Sequence, residues 1–472
     1  MSMKLQLDPD RLFPADPATR DVASGLYSRV ADLPILSPHG HVDPALLLDN
    51  TPFGDPSELF IRYDHYVTRL MHAAGVQLSD LGIPDRTTGA AVATPREVWR
   101  TFCAHWYLYA GTASGYWLQH AFVEQFGIDL HPSIDNADAL FDRIDAALAT
   151  DAFRPRALFS QFGIEVLATT DDPMDDLATH RALAEDPSFA GRVLPTFRPD
   201  AYLNPAAAGW ADNVHRLAEW NGSAASSYSG YIDALAGRRR HFVEHGAVSA
   251  DHGVFQPLAV DLDPSAAAAL FDRALAGTLS DDEQRAFAGH MLLEMARMSV
   301  DDGLVMTVHP GVLRNHHTDT FTRFGPDTGH DIPATTTYVD SIRPLLQKYG
   351  TIPDFHLVLF AVDESVYSRE VAPLAGFYPS VYVGAPWWFL DAPDAVLRFR
   401  SAVTETAGFY RSSGFIDDTR AFLSIPARHD MARRLDSAFL ARLVREGRID
   451  TPTAERIIVD LVDAMPRKVF KL

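Results

Sequence analysis

Leu33-Pro34-Ile35-Leu36-Ser37-Pro38-His39-Gly40-His41 decides how this chain is read. An apolar run ends in two histidines spaced by one glycine. If the run is a β-strand, the two-residue period of strand side chains sends His39 and His41 to the same side. Two imidazoles then converge at a strand's carboxyl end, where α/β barrels keep their active sites. Such a pair holds a divalent metal and leaves positions open for substrate. The spacing carries little by itself. With 19 His in 472 residues, chance supplies about 0.8 H-x-H matches, so strand context and a distant acidic partner must add the specificity.

Outward from this stretch, short apolar or β-branched runs recur, each closed by polar or turn residues. They lie at 33–38, 164–169, 192–197, 246–250, 303–309, 355–361, 380–385 and 413–417. Most intervals are long enough for a crossover helix, as parallel strands require. Ser280-Asp281-Asp282-Glu283 is a capping box, and Phe287, Met291, Met295 and Met298 follow at helical spacing before Gly303. Eight such units predict an α/β fold of the (β/α)8 TIM-barrel type, spanning 1–472 as one domain.

The interval after the first strand is far longer than the others, aromatic and helical in character. Asp55-Pro56-Ser57-Glu58 supplies an N-cap, a proline at the first helical position and an acid three residues after the cap. Tyr63, Tyr66 or Val67, Leu70 and Ala74 then recur at i+3/i+4. Residues 45–160 are expected to form a helical insertion that contributes to the active site. Residues 221–227 read as a mobile loop.

Composition narrows the function. The net charge of −21 argues against nucleic acid and anionic membrane as partners. The single cysteine, Cys103, excludes a disulfide framework and multi-thiolate metal sites. No stretch approaches the ~18 apolar residues of a membrane helix, and the first ten residues lack a signal core. A cytoplasmic enzyme is expected, and a homo-oligomer is compatible with the chain.

Barrel active sites draw on the strands' carboxyl ends. The third expected strand leads into Arg198, the fourth into Asp251 and His252, and the fifth into His309 with Arg314 beyond. The seventh runs into Trp387-Trp388, and the eighth into Asp417, Asp418 and Arg420. Ring closure makes strands one and eight neighbours. His39, His41 and Asp418 then present two nitrogens and an oxygen, ligands of the right hardness for Zn²⁺ or Mn²⁺. Asp417 reads as the cap or turn residue of its pair. The plain alternatives are surface ion pairs for Arg198 and Arg314, packing for Trp387-Trp388, and pocket lining for His252 and His309. His316-His317 reads as solvent-facing.

These residues resemble the uronate isomerases of the amidohydrolase superfamily. The likeness covers essentially the whole chain. It rests on His39-Gly40-His41-Val42-Asp43-Pro44, Asp64-His65-Tyr66 and Thr169-Thr170-Asp171-Asp172-Pro173. It continues through Leu194-Pro195-Thr196-Phe197-Arg198-Pro199-Asp200, His309-Pro310-Gly311-Val312-Leu313-Arg314-Asn315 and Trp387-Trp388-Phe389-Leu390-Asp391. Asp418-Thr419-Arg420-Ala421-Phe422-Leu423-Ser424 and Arg428-His429 complete it. Two departures stand out. The family's usual Thr-Asp-Ser-Arg reads Asp417-Asp418-Thr419-Arg420, and its aromatics after Arg428-His429 are replaced by Met431 and Ala432.

The resemblance implies a metal on His39, His41 and Asp418. It also implies substrate contacts from His65, Tyr66, Arg198 and Arg420, with Trp387 or Trp388 nearby and Arg314 a further candidate. The implied reaction interconverts D-glucuronate and D-fructuronate, or D-galacturonate and D-tagaturonate, through an enediol. Proton handling falls to Asp418 or a hydroxide on the metal, assisted by Tyr66, with His65 aiding ring opening. No lysine stands where two-metal relatives carry a bridging one, so a single metal is expected. A hydrolase or decarboxylase of the same superfamily is the competing reading. It needs only the three metal ligands and leaves Arg198, Arg420 and Asp64-His65-Tyr66 without a purpose.

Overall fold

The computed structural model describes residues 4–89, 91–220 and 227–472, so residues 221–226 of the expected loop lie outside the described residues. Of the first apolar run, Ile35–Ser37 forms β1. It pairs in parallel with β2 (Ile164–Ala168), which pairs in parallel with β3 (Arg192–Leu194). A second parallel sheet holds β4 (Thr196–Phe197), β5 (Ser249–Val254), β6 (Val305–Pro310), β9 (Leu357–Leu359) and β10 (Val381–Val383), in that order. A small antiparallel pair, β7 (Val312–Leu313) and β8 (Ile332–Pro333), lies between β6 and β9 in sequence.

Only Pro195 separates β3 from β4. Proline has no N–H to give the ladder, so pairing lapses there. The chain beyond β2 bridges the lapse. Thr169 N–H donates to Leu194 O (2.9 Å), Asp171 N–H to Thr196 O (2.9 Å), and Arg198 N–H back to Asp171 O (3.0 Å).

Two expected strands are redrawn. The run at 246–250 yields a strand three residues further on, because Gly246 turns the chain at φ +90° before β5 begins. The run at 413–417 forms no strand among the described residues. Ser412 makes an isolated parallel bridge to Val383, and Ser413 N–H donates to Val383 O (2.9 Å). Gly414 (φ +77°) and Asp418 (φ +43°) then leave extended geometry, which ends the pairing. On the other side, His41 N–H donates to Thr419 O (3.0 Å), tying this segment to the residues after β1.

The capping box is present as read. Ser280 and Glu283 cap the helix Asp281–Asp302, whose Phe287, Met291, Met295 and Met298 are buried, and Gly303 ends it at φ +82°. Between Ser37 and Ile164 the chain is mostly helical. Asp55 accepts from the N–H groups of Ser57 (2.8 Å) and Glu58 (3.1 Å), starting a turn that becomes π-helical over Glu58–Arg62. The helix carrying the later periodicity starts afresh as His65–Ala73, because Asp64 caps it by accepting from Tyr66 N–H (2.9 Å) and Val67 N–H. These helices bury Trp99, Phe102, Tyr109, Phe122 and Ile144 in one apolar cluster with Ile35 and Leu167 of the sheet.

Candidate active site

His39 and His41 follow β1 directly, and Gly40 keeps the space between them narrow. A Cβ there would sit 3.5 Å from both Ala168 O and Asp417 Oδ1. His41 Nε2 lies 2.9 Å, and His39 Nε2 3.4 Å, from one oxygen of Asp418. Residues 377 to 379 positions apart in sequence therefore meet at one point. The left-handed backbone of Asp418, held by the His41–Thr419 hydrogen bond, turns its carboxylate toward the imidazoles.

A third imidazole joins them from β6. His309 stacks on His39 with ring centroids 4.6 Å apart. The ligand atoms of His39, His309 and Asp418 lie within 4.8 Å of one another, and His41 touches this group at Asp418. Asp251 on β5 sets the tautomer of His309. Its Oδ1 accepts from His309 Nδ1 (2.6 Å) and Thr307 Oγ1 (2.7 Å). His309 Nε2 is left buried without a protein partner. Burial outweighs the attraction of Asp251 and draws His309 below the ordinary histidine range, leaving its outward nitrogen unprotonated with a free lone pair. Burial opposes charge on His39 and Asp418 too. Their neighbours win: Asp251 and Asp418 raise His39, while His39 and His41 hold Asp418 well below the carboxylate range. An orphaned imidazole nitrogen beside two more imidazoles and a carboxylate fits a divalent cation of intermediate hardness.

The three expected arginines share one cavity of about 650 Å³ with this cluster, lined also by Trp387, Asp327 and Asp331. Arg198, beyond β4, donates from Nε to Asp200 (2.8 Å) and lies 3.5 Å from Asp251. Arg314, beyond β7, donates to Asp331 (2.9 Å) and lies over the Trp388 ring (5.0 Å). Arg420 donates to Asp327 at 3.3 Å. Arg198 and Arg314 thus do form ion pairs, but pairs that face the cavity.

His65 and Tyr66 line an adjoining cavity of about 420 Å³ that shares His41, Asp418, Arg314, Arg420 and Trp387 with the first. Their rings stack at 4.3 Å, at the start of the helix that Asp64 caps. Burial, aided by Arg420, brings His65 down to about 4, so it is neutral near pH 7. Burial likewise keeps the Tyr66 phenol protonated. Behind them the Arg428 guanidinium lies 3.6 Å over Trp117 and donates to Asp391 (2.6 Å), and burial raises Asp391 to about 7 despite that partner.

Other histidines fall outside the cluster. His252 is buried against Thr307 O (3.0 Å). His316 and His317 are exposed as read, and His317 caps the helix Thr318–Phe324. Sequence reasoning underrated His309, Asp251 and Arg428. The strand assignment was the available signal: period-2 alternation puts Thr307 and His309 of β6 on one face, the face that meets Asp251.

Parallel strands here deliver imidazoles, a carboxylate and guanidiniums to one cavity, which makes this an α/β protein with a candidate metal site beside a cationic pocket. A family comparison narrows this. The glucuronate isomerase family matches residues 17–470. The uronate isomerase of Corynebacterium efficiens is 53% identical over the full length of both chains. The crystal structure of glucuronate isomerase from Caulobacter crescentus is 48% identical and superimposes with a TM-score of 0.96, over 99% of this chain and 97% of that one. That of uronate isomerase from Thermotoga maritima gives 28% identity and a TM-score of 0.91, over 98% and 99%. The chain belongs to the glucuronate isomerase family.

Proposed function

We propose that this chain is a cytoplasmic uronate isomerase interconverting D-glucuronate with D-fructuronate and D-galacturonate with D-tagaturonate. The observation that carries the reading is one cavity holding His39, His41, His309 and Asp418 together with Arg198, Arg314 and Arg420. Family membership fixes the isomerase class. We further read the two parallel sheets and the 412–419 segment as one closed (β/α)8 barrel, with 45–160 as a helical insertion forming one active-site wall. The hydrogen bonds across Pro195 and between His41 and Thr419 support that closure.

His39, Asp418 and His309, with His41 alongside, would hold one divalent cation, Zn²⁺ or Mn²⁺. Bound there, such a cation would supply Lewis acidity for negative charge developing on the substrate's oxygens. The chain's own side chains do the rest. Arg420, Arg198 and Arg314 hold the uronate carboxylate, since guanidinium pairs with carboxylate in two parallel hydrogen bonds. His65, neutral by burial, can pass a proton between ring oxygen and O1 as the sugar ring opens. Asp418 accepts the C2 proton and returns it to C1, while the Tyr66 hydroxyl, kept protonated by burial, relays the proton that O2 loses to O1. Trp387 and Trp388 wall the sugar from water.

Incubation with D-glucuronate should generate a new ketose, and Asp418→Asn should slow turnover by more than about 100-fold, the usual contribution of a positioned acid–base group. Turnover of that variant within threefold of wild type rejects the role of Asp418.

A further inference from the structure

The cavity's three guanidiniums are not equally committed. Arg198 already serves Asp200 at 2.8 Å and lies 3.5 Å from Asp251. Arg314 is fastened to Asp331, which also accepts the Asn315 N–H (2.6 Å) and so belongs to its own loop's architecture. Arg420 is different. Among the described residues its carboxylate partner is Asp327, at 3.3 Å, and the same Asp327 lies 3.9 Å from Arg314. Both contacts are long for charge-assisted hydrogen bonds, which run ~2.7–2.9 Å.

Asp327 sits in a stretch shaped to bring it there. Gly325 (φ +84°) ends the helix Thr318–Phe324, and Asp327 itself takes φ +60°. That backbone disfavours most side chains but suits Asp and Asn. The approach is anchored: Arg86 N–H donates to Arg323 O (2.7 Å), and Arg323 pairs with Asp85 (2.8 Å). An anchored turn therefore holds a carboxylate against the least-committed guanidinium of the cavity, where a uronate carboxylate would bind.

Resting on the proposed uronate activity, we infer that Asp327 is a specificity residue: a resident carboxylate that occupies Arg420 until a substrate carboxylate displaces it. A ligand with two carboxylate oxygens can offer Arg420 the short paired contacts that Asp327 does not make. A neutral sugar has no group that competes with an ion pair. Asp327 thereby weakens uronate binding and raises the requirement for an anionic ligand.

The test uses D-gluconate, an open-chain sugar acid, titrated calorimetrically into the metal-loaded enzyme. Asp327→Asn keeps the side-chain shape and tolerates the backbone. It should lower the gluconate Kd about three- to fivefold, as removal of an exposed competing ion pair implies. The gain should vanish in an Arg420→Gln background, and with D-glucuronate it should fall in KM rather than kcat. Asp327→Gly, which also suits φ +60°, should repeat the result if the Asn variant folds poorly. An unchanged or weaker Kd means Asp327 merely supports Arg420 and overturns the inference, as does failure of wild type and variants alike to bind gluconate. If wild type binds gluconate yet does not isomerise D-glucuronate, the uronate reading falls while the titration still decides Asp327.

Discussion

Asp171 shows how strongly a buried group can tie this protein to pH. Its carboxyl accepts from Thr169 Oγ1 (2.7 Å) and Thr196 N–H (3.0 Å), yet burial outweighs both and raises it to about 7. A raised carboxyl stabilises the fold fully below its unfolded value near 3.8, and that contribution is lost as pH rises through about 7. Asp171→Asn removes the dependence. The variant should match wild type near pH 4 and exceed it at pH 8 by up to ~4 kcal/mol, the free energy of a gap from 3.8 to about 7. Urea unfolding at both pH values measures this, and parallel pH profiles for the two proteins would refute it. His309 supports a second prediction. His309→Asn removes the orphaned Nε2 and should reduce metal affinity ~10- to 100-fold, read as metal content after dialysis against a weak chelator. Full retention of metal would exclude His309 from the ligand set. The pair His39 and His41 was legible because glycine and strand context constrain it. His309 was not, because the ligand role proposed for it depends on stacking against a residue 270 positions earlier.

Elements were legible where local chemistry decides them. The helix Asp281–Asp302 carries its own start and stop signals, and both act as read. Strand ends were less so. The shift to Ser249–Val254 and the loss of pairing after Ser413 follow from left-handed residues at 246, 414 and 418, two of them glycines whose φ the sequence does not announce. The break at Asp64 was likewise hidden, since an unbroken helical period spans Tyr63 to Ala74. That break bears on the proposed reaction, because it places His65 and Tyr66 in the first turn of the helix His65–Ala73. Asp64→Ala, which strips the cap, should cost about 1–2 kcal/mol of stability and raise KM for D-glucuronate, while Asp64→Asn should retain most of both. Thermal unfolding and steady-state kinetics on the two variants test this; equal losses from Ala and Asn would show that capping is not what holds the helix start.

At the scale of the whole molecule, the proposed cation would join parts that the backbone connects only loosely. His39 follows the first strand, His309 sits on β6, and Asp418 lies in a segment that pairs with Val383 through a single bridge. The eight strand-like runs of the sequence led to the ring proposed here, but they did not announce how thin the pairing is between Val383 and the 412–419 segment, because that seam depends on φ at single residues. Where strand pairing is thin, ligand bonds to both sides should stabilise the proposed closed ring. A ligand that binds only the folded state stabilises by RT ln(1 + [L]/Kd), about 2.7 kcal/mol at a hundredfold excess over Kd. Metal removal by a strong chelator should therefore abolish turnover and lower Tm by several degrees. Adding back Zn²⁺ should restore both. The same treatment of Asp418→Asn, which lacks the ligand on the seam side, should shift Tm much less. An apo enzyme with verified metal loss and an unchanged Tm would mean that the His41–Thr419 and Ser413–Val383 hydrogen bonds close the ring unaided, and that the cation serves chemistry alone.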